Sequence, residues 1–222
     1  MAVVDPGNPE VVAYQLKTHA ARAIAAGYDA LSADNVHLSS IRGQCGVWQK
    51  GRTKGSRVWK QLYNPTTTHR DPAWADSVVR WAQLLSAGLK TMKTHAGKPL
   101  DLIPNFSVQS SDGWADQHTL ALMNATDGAL SENGFTRSVL RSSKPDESDW
   151  IETVRFFQNL NRHGKPLWAI CEWGGGKSVG NVSITEDVRQ WVAATFMMGR
   201  GAAANASGVA LVPVTECKIA HS

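Results

Sequence analysis

The sequence predicts an α/β fold, a parallel TIM-type (β/α) barrel that is incomplete, with about six strands where a closed barrel has eight. Three observations support this prediction. Helical patterns of about 12–20 residues alternate with short apolar runs, which is typical of parallel strands joined by helices. Most of these runs end on an acid or an amide, as strands do at a ligand-binding edge. The length of 222 residues fits one domain and no linker divides the chain, so residues 1–222 are expected to form a single barrel domain.

The N-terminal part begins with a partial strand at residues 2–4 and continues with a helix at residues 9–27. The helix starts with a proline, which suits the first helical position, and ends on a glycine, which is common after a helix. A short strand at residues 28–33 then leads to Asp34. Residues 36–71 contain Gly, Arg and Thr without a period, and we expect them to form a long loop of the kind that is functional or disordered in compact domains.

The rest of the chain repeats the alternation of helix and strand. Apolar residues recur on one stripe of the longer helical segments. The predicted helices span about residues 73–95, 114–123, 146–162 and 185–198. The predicted strands span about residues 100–104, 126–131, 167–171 and 208–212. Because a closed barrel needs eight strands, two βα units are expected to be missing at the N-terminal end.

Composition and charge exclude several classes of function. Hydrophobic residues make up 42% of the chain and charged residues 19%, as in folded domains. The net charge is +4, and the densest basic group is expected in a loop without a helical face, so no nucleic-acid partner is predicted. That group consists of Arg52, Lys54, Arg57 and Lys60. No apolar run is long enough for a membrane span, and the three cysteines lack metal-ligand spacing, so neither a membrane partner nor a metal site is predicted.

Four successive predicted strands end on residues that suit chemistry, namely Asp34, Asn105, Glu132 and Glu172. In parallel βα folds, the ligand site lies outside the carboxyl ends of the strands, so these side chains are expected to converge. Helix capping and loop turns are the alternative roles for them. Converging carboxylates suit glycoside hydrolysis, in which one carboxylic acid protonates the leaving oxygen and another carboxylate attacks C1 or activates water. They also suit a Mg²⁺ site, but no phosphate-binding motif accompanies one here.

Tryptophan is the unusual residue of this composition, with nine copies. Its large side chain packs in cores and also stacks on flat ligands, so core packing and an aromatic-lined cleft both stay open. Trp173 follows Glu172 directly and is the best placed for stacking on a sugar ring. Trp48 and Trp59, in the predicted long loop, come next.

Two residues that follow Asp34 are further candidates for substrate binding. His37 lies three residues beyond Asp34, where it could hydrogen-bond a sugar hydroxyl or be a solvated loop histidine. Asn35 is expected to support the turn after Asp34 and to lie at the edge of the substrate site.

Three segments of the chain resemble motifs of a known family. They read Asp-Pro-Gly-Asn-Pro at residues 5–9, Gly-Tyr-Asp-Ala-Leu-Ser-Ala-Asp-Asn at residues 27–35 and Asp-Gly-Ala-Leu-Ser-Glu at residues 127–132. The chain thereby resembles the glycoside hydrolase-like (β/α) barrels related to the endo-α-1,4-polygalactosaminidase family. Members of that family carry a D-P-x-N-P segment after an early strand and two later strands that end in a catalytic Asp and a catalytic Glu.

The resemblance implies roles for the four strand-end residues. Asp34 would be the nucleophile or base and Glu132 the general acid, while Asn105 and Glu172 would line a subsite. It implies a glycoside hydrolase that cleaves O-glycosidic bonds of a poly- or oligosaccharide and needs no cofactor. Ala30 departs from the family pattern, which has Gly after the strand-opening Asp.

Two other functions stay open at this point. A barrel that has lost catalysis could be a carbohydrate-binding or assembly protein. A hydrolase of esters or amides could use the same strand ends, although no Gly-x-Ser-x-Gly elbow occurs. Because the family carries strands ahead of the D-P-x-N-P segment, we expect either a homodimer that covers the open sheet edges or a truncated chain. The resemblance implies secretion, although no signal peptide is visible.

Overall fold

A computed structural model describes most of the chain and divides it into two units. It describes residues 5–38, 45–63, 71–106, 116–132, 135, 147–173, 186–200 and 208–213. Unit 1 comprises Met1–Leu31 and His37–Leu102, and unit 2 comprises Ser32–Val36 and Ile103–Ser222. The strand predicted at residues 2–4 lies outside the described residues.

Unit 1 begins with a helical region in three parts, α1 (Pro9–Gln15), a π-helical turn (Leu16–Ala20) and α2 (Ala21–Ala25). The start of α1 is set by a local cap, because the Asn8 side chain accepts a hydrogen bond of 3.0 Å from the backbone N–H of Glu10. The end follows from Gly27, whose φ of 85° terminates the helical path. The predicted helix at residues 9–27 is therefore confirmed, apart from its wider π-helical turn.

The second helix of unit 1 is α3 (Pro72–Thr91). Asp71 caps it by accepting a hydrogen bond of 2.9 Å from the backbone N–H of Ala73, and Pro72 takes the first helical position. One apolar stripe is buried, as the spacing predicted, and it includes Val78, Trp81, Leu85 and Leu89. The Trp81 indole N–H donates to Gln15 Oε1 at 2.8 Å, which ties α3 to α1.

Unit 1 contains two separate pairs of strands. β1 (Ala30–Leu31) and β4 (Asp101–Leu102) pair in parallel. β2 (Cys45–Lys50) and β3 (Arg57–Tyr63) form an antiparallel hairpin. The expectation of an aperiodic loop over residues 36–71 is therefore wrong, since 13 of these residues lie in strands.

Unit 2 has a parallel sheet whose three strands follow chain order, β5 (Ala129–Glu132), β6 (Leu167–Trp173) and β7 (Gly208–Pro213). Its helices are α4 (Gln117–Ala125), α5 (Glu147–Arg162) and α6 (Glu186–Arg200). Each helix lies between two successive segments of extended chain, which is the connection that parallel strands require.

The core of unit 2 includes the packed faces of α5 and α6. Phe157 is completely buried, and its ring lies 5.4 Å from that of Phe196. Gly199 permits this approach, because a Cβ at this position would collide with the Phe157 ring. The buried Asn161 donates from Nδ2 to the carbonyl oxygen of Gly199 at 2.9 Å, which links the two helices by a polar contact.

The prediction of a TIM-type (β/α) barrel is wrong. The described residues have mixed α/β structure, and their strands form small sheets of two, two and three strands without closing into a barrel. The helix-and-strand alternation predicts parallel strands from local patterns. Closure instead requires each strand to bond two neighbours at a consistent stagger, which is a non-local property. Within the described ranges, no helix is long and apolar enough to cross a membrane.

Candidate functional site

The site is centred on Asp34, whose carboxylate is held by two amide side chains of unit 2. Asn105 Nδ2 donates to Oδ1 at 2.7 Å, and Asn35 Nδ2 donates to Oδ2 at 2.7 Å. Both distances are in the short range of hydrogen bonds to ionised acceptors. Because each oxygen has its own donor, the plane and the direction of this exposed carboxylate are fixed.

A local irregularity of the backbone places Asp34 at this position. The N–H of Asn105 donates to the Ala33 carbonyl at 2.7 Å, and the Asn105 carbonyl accepts from the Val36 N–H at 3.1 Å. In a regular parallel pair, these two bonds would reach residues two apart, whereas here they reach residues three apart. The extra residue forms a bulge, and Asn35 accommodates it with a φ of 55°.

Asparagine is one of the few residues with a side chain that enters the left-handed region readily, so the identity of Asn35 explains the bulge. The same residue supplies the amide that bonds Asp34. Asn35 was expected to support a turn after Asp34, whereas the bulge itself was not predicted. The signal for it was an asparagine directly after the acid at the end of a strand.

Asn105 is positioned by its two buried neighbours. Pro104 and Phe106 are buried, and the Phe106 ring packs edge-on against Phe156 of α5 at 5.6 Å. Successive side chains of an extended segment point to opposite sides, so the anchoring of Phe106 presents Asn105 on the other side, where it meets Asp34. The buried core of unit 2 thereby fixes a polar group at the surface.

The same extended segment is bonded to β5, the strand that ends at Glu132. The Phe106 N–H donates to the Leu130 carbonyl at 2.9 Å, and the Leu130 N–H donates to the Pro104 carbonyl at 2.9 Å. Asn105 is thus paired in parallel with Leu130, and Glu132 follows two residues later. With strands about 4.8 Å apart and a rise of about 3.3 Å per residue, the Cα atoms of Asn105 and Glu132 lie about 8 Å apart.

Glu172 and Trp173 lie at the end of the next strand, β6. Glu132 pairs with Ile170, so Glu172 lies a further two residues along the strand direction. In unit 2, the four segments that carry Asp34, Asn105, Glu132 and Glu172 therefore run parallel, and each is paired with the next one along the chain. The side chains of Glu132, Glu172 and Trp173 lie outside what the structure describes.

His37 is placed in unit 1, whereas Asp34 and Asn35 belong to unit 2. The His37 side chain is half-buried, and its backbone carbonyl accepts a hydrogen bond of 3.0 Å from the Trp74 indole N–H. This contact anchors the start of the segment that leads towards the hairpin. It gives His37 a structural role in unit 1.

A carboxylate oriented in this way can attack an electrophilic carbon or accept a proton from water. Each oxygen of Asp34 accepts one hydrogen bond from an amide and retains capacity for another, so a reacting group can still approach it. A second acid at a distance of several ångströms would complete the pair that glycoside hydrolysis uses. In the described ranges, no three His, Cys, Asp or Glu side chains lie together as metal ligands.

Comparison with known proteins adds no family to this geometry. No protein-family model matches the chain, and no curated protein matches it significantly.

Proposed function

We propose that this chain is a glycoside hydrolase that cleaves O-glycosidic bonds of a poly- or oligosaccharide, with Asp34 as the nucleophile or base and Glu132 as the general acid. The observation that carries the proposal is the Asp34 carboxylate, which the side-chain amides of Asn35 and Asn105 hold in one orientation. Asn105 also pairs with β5, the strand that ends at Glu132. An exposed carboxylate without such donors would be free to rotate, whereas catalysis requires a defined direction of attack.

In this mechanism, the sugar binds with its anomeric carbon in front of Asp34. Glu132 donates its proton to the glycosidic oxygen, so the leaving group departs as an alcohol rather than an alkoxide. As the leaving group departs, Asp34 acts in one of two ways. It attacks C1 and forms a glycosyl ester, which water then hydrolyses after giving a proton to the deprotonated Glu132, or it removes a proton from a water molecule that attacks C1 directly. The separation of the two carboxyl groups selects between these routes, about 5–5.5 Å for the first and about 6.5–9.5 Å for the second.

The two amides around Asp34 support either route. Their N–H groups orient Oδ1 and Oδ2 without neutralising the carboxylate by a full positive charge, so its nucleophilicity is preserved. The backbone of Asn105 bonds the Asp34 segment on one side and pairs with β5 on the other. Because Asn105 thus lies between the two proposed catalytic segments, we expect its side chain to contact a bound sugar as well.

The test measures reducing-end release from a panel of α- and β-linked polysaccharides by the wild type, Asp34→Asn and Glu132→Gln. We expect both variants to lose at least 100-fold in rate on the substrate that the wild type cleaves. Asp29→Asn and Glu10→Gln are matched controls, since both side chains are exposed and lie in unit 1, and they should keep wild-type rates. Full activity in Glu132→Gln would end the assignment.

A non-catalytic carbohydrate-binding protein is the second candidate, favoured by the nine tryptophans. It predicts no release by the wild type, together with a change in tryptophan fluorescence when a glycan is added. Binding in that case would be unchanged by Glu132→Gln.

A further inference from the structure

The hairpin of unit 1, residues 45–63, accounts for the net positive charge of the chain, and we call it the basic hairpin. It contains five basic residues and no acidic one, namely Lys50, Arg52, Lys54, Arg57 and Lys60. Of the 23 Lys and Arg in the chain, 18 therefore remain elsewhere, against 19 Asp and Glu. All five basic side chains are exposed. Such a concentration of one charge sign attracts anions.

The strand register places aromatic and basic pairs on one face of the basic hairpin. Trp48 pairs with Trp59, and Lys50 pairs with Arg57 directly across the strands. Residues two apart on a strand share a face, so the two pairs are neighbours, about 7 Å apart. Two cations directly opposite each other repel, and within the described ranges neither one pairs with a carboxylate. An anion bound between Lys50 and Arg57 would remove this repulsion.

Trp48 gives this face a flat apolar surface. Its side chain is 63% exposed, although burial of an indole ring is strongly favourable. The ring rests edge-to-face on Trp59, with centroids 5.4 Å apart and planes at 63°, so it is held in place while its own surface stays in solvent. A rigid exposed ring beside cations fits a ligand that alternates flat apolar surfaces with negative charges.

We propose that the basic hairpin binds an acidic polysaccharide, a polymer of uronic acids whose rings stack on Trp48 while their carboxylates lie against Lys50 and Arg57. The arginine fork matches a planar carboxylate with two parallel hydrogen bonds. Single-stranded nucleic acid is the competing polyanion, but its sites stack successive bases on several rings, whereas of the two paired rings on this face Trp48 is mostly exposed and Trp59 is half-buried. The inference rests on the proposed function, because a glycoside hydrolase is expected to bind a polysaccharide rather than another polyanion.

The expectation that these basic residues lie in a loop without a helical face is wrong, because most of them lie on or beside the two strands of the hairpin. In a loop, their side chains would diverge. In the hairpin, the cross-strand register aligns Lys50 with Arg57, and the turn between the strands carries Arg52 and Lys54.

The test measures binding of the full chain to polygalacturonate, a neutral galactan, a sulfated dextran and a single-stranded oligonucleotide by titration calorimetry. We expect polygalacturonate to bind more tightly than the other three, and more weakly as salt rises from 50 to 200 mM, because exposed charges are screened. Lys50→Gln/Arg57→Gln should weaken this binding at least tenfold, and Trp48→Ala by a similar factor. Lys93→Gln/Lys98→Gln and Tyr28→Ala change equally exposed residues of unit 1 and should bind as the wild type does.

The outcomes separate this inference from the proposed function. Asp34→Asn should bind polygalacturonate as the wild type does. Binding of polygalacturonate by the wild type, together with no hydrolysis of any tested glycan by the wild type, would uphold the hairpin and remove the hydrolase. Hydrolysis of a glycan with no loss of binding in the Lys50/Arg57 variant would uphold the hydrolase and overturn the hairpin. Tightest binding to the oligonucleotide or the sulfated dextran, or binding to none of the four polymers, would also overturn it. The double variant should keep or raise the melting temperature, because it removes a repulsive pair.

Discussion

Asn105→Ala is the most informative single change, because it removes one of the two amides that hold Asp34 and leaves the backbone intact. The bonds of Asn105 to Ala33 and Val36 are made by main-chain atoms and survive the substitution. The lost contacts include the hydrogen bond of 2.7 Å to a carboxylate oxygen of Asp34. Since this carboxylate is exposed, we expect the free energy of unfolding to fall by only about 1 kcal/mol.

The effect on catalysis should be larger than the effect on stability. Without Asn105, the Asp34 carboxylate keeps the Asn35 bond alone and can turn about its χ2 torsion. Misplacement of a reacting atom by about 1 Å costs up to about 100-fold in rate. We therefore expect kcat to fall about 10–100-fold, which corresponds to about 1.4–2.7 kcal/mol in the activation free energy, with a smaller change in KM.

The assay compares steady-state rates and urea unfolding of Asn105→Ala with those of the wild type. Asn124→Ala is the matched control, because Asn124 is an exposed amide on α4, and it should change neither quantity by more than about 0.5 kcal/mol. Wild-type kcat in Asn105→Ala, measured beside an inactive Asp34→Asn, would refute the positioning role of Asn105.

Three further predictions concern stability. Asn35→Gly should keep the left-handed backbone and lose the Asp34 bond, whereas Asn35→Ala should be about 1 kcal/mol less stable than Asn35→Gly by thermal unfolding; equal stabilities would show that the left-handed φ is not retained. Gly199→Ala should lose about 1–3 kcal/mol in urea unfolding, because the new Cβ meets the buried Phe157 ring, and a gain would mean that α5 and α6 pack less closely. Asp71→Ala should lose about 1 kcal/mol through its cap, whereas Asp71→Asn or Asp71→Ser should retain most of it; an undiminished Asp71→Ala would contradict the cap.

The features that the sequence predicted well are those that local chemistry determines. Asp71 next to Pro72 is a start signal that needs no distant partner, and the spacing of Val78, Trp81 and Leu85 defines one stripe in any helix. The parallel order of β5, β6 and β7 also follows from the alternation of helix and strand.

The features that the sequence did not predict depend on pairing between distant strands or on exposed basic residues within a strand. Barrel closure is such a feature: β1 and β4 pair as strands over two residues, and the pairing beyond them continues only as isolated bridges among the described residues. The basic hairpin was taken for a loop because exposed Lys and Arg obscure the alternation of its strands. Its signals were two runs rich in Val and Trp on either side of a segment with Gly51 and Gly55.

One contact of the candidate site, between Asp34 and Asn105, was predicted, whereas the backbone bulge beside it was not. Parallel strand ends share an edge, so the approach of Asn105 to Asp34 could be anticipated from their places in the pattern. The bulge at Asn35 has a local signal in the asparagine itself, but its position also depends on the backbone bonds of Asn105 to Ala33 and Val36, which the sequence does not specify.

The central claim, that Asp34 and Glu132 act as a catalytic pair, is tested most directly by the leaving-group dependence of the two variants. The measurement compares hydrolysis of a dinitrophenyl glycoside, whose leaving group needs no protonation, with hydrolysis of the natural linkage in the same sugar. We expect Glu132→Gln to keep activity on the dinitrophenyl glycoside and to lose at least 100-fold on the natural linkage, whereas Asp34→Asn should lose activity on both substrates. Equal losses on both substrates in Glu132→Gln, or undiminished rates in Asp34→Asn, would contradict the account.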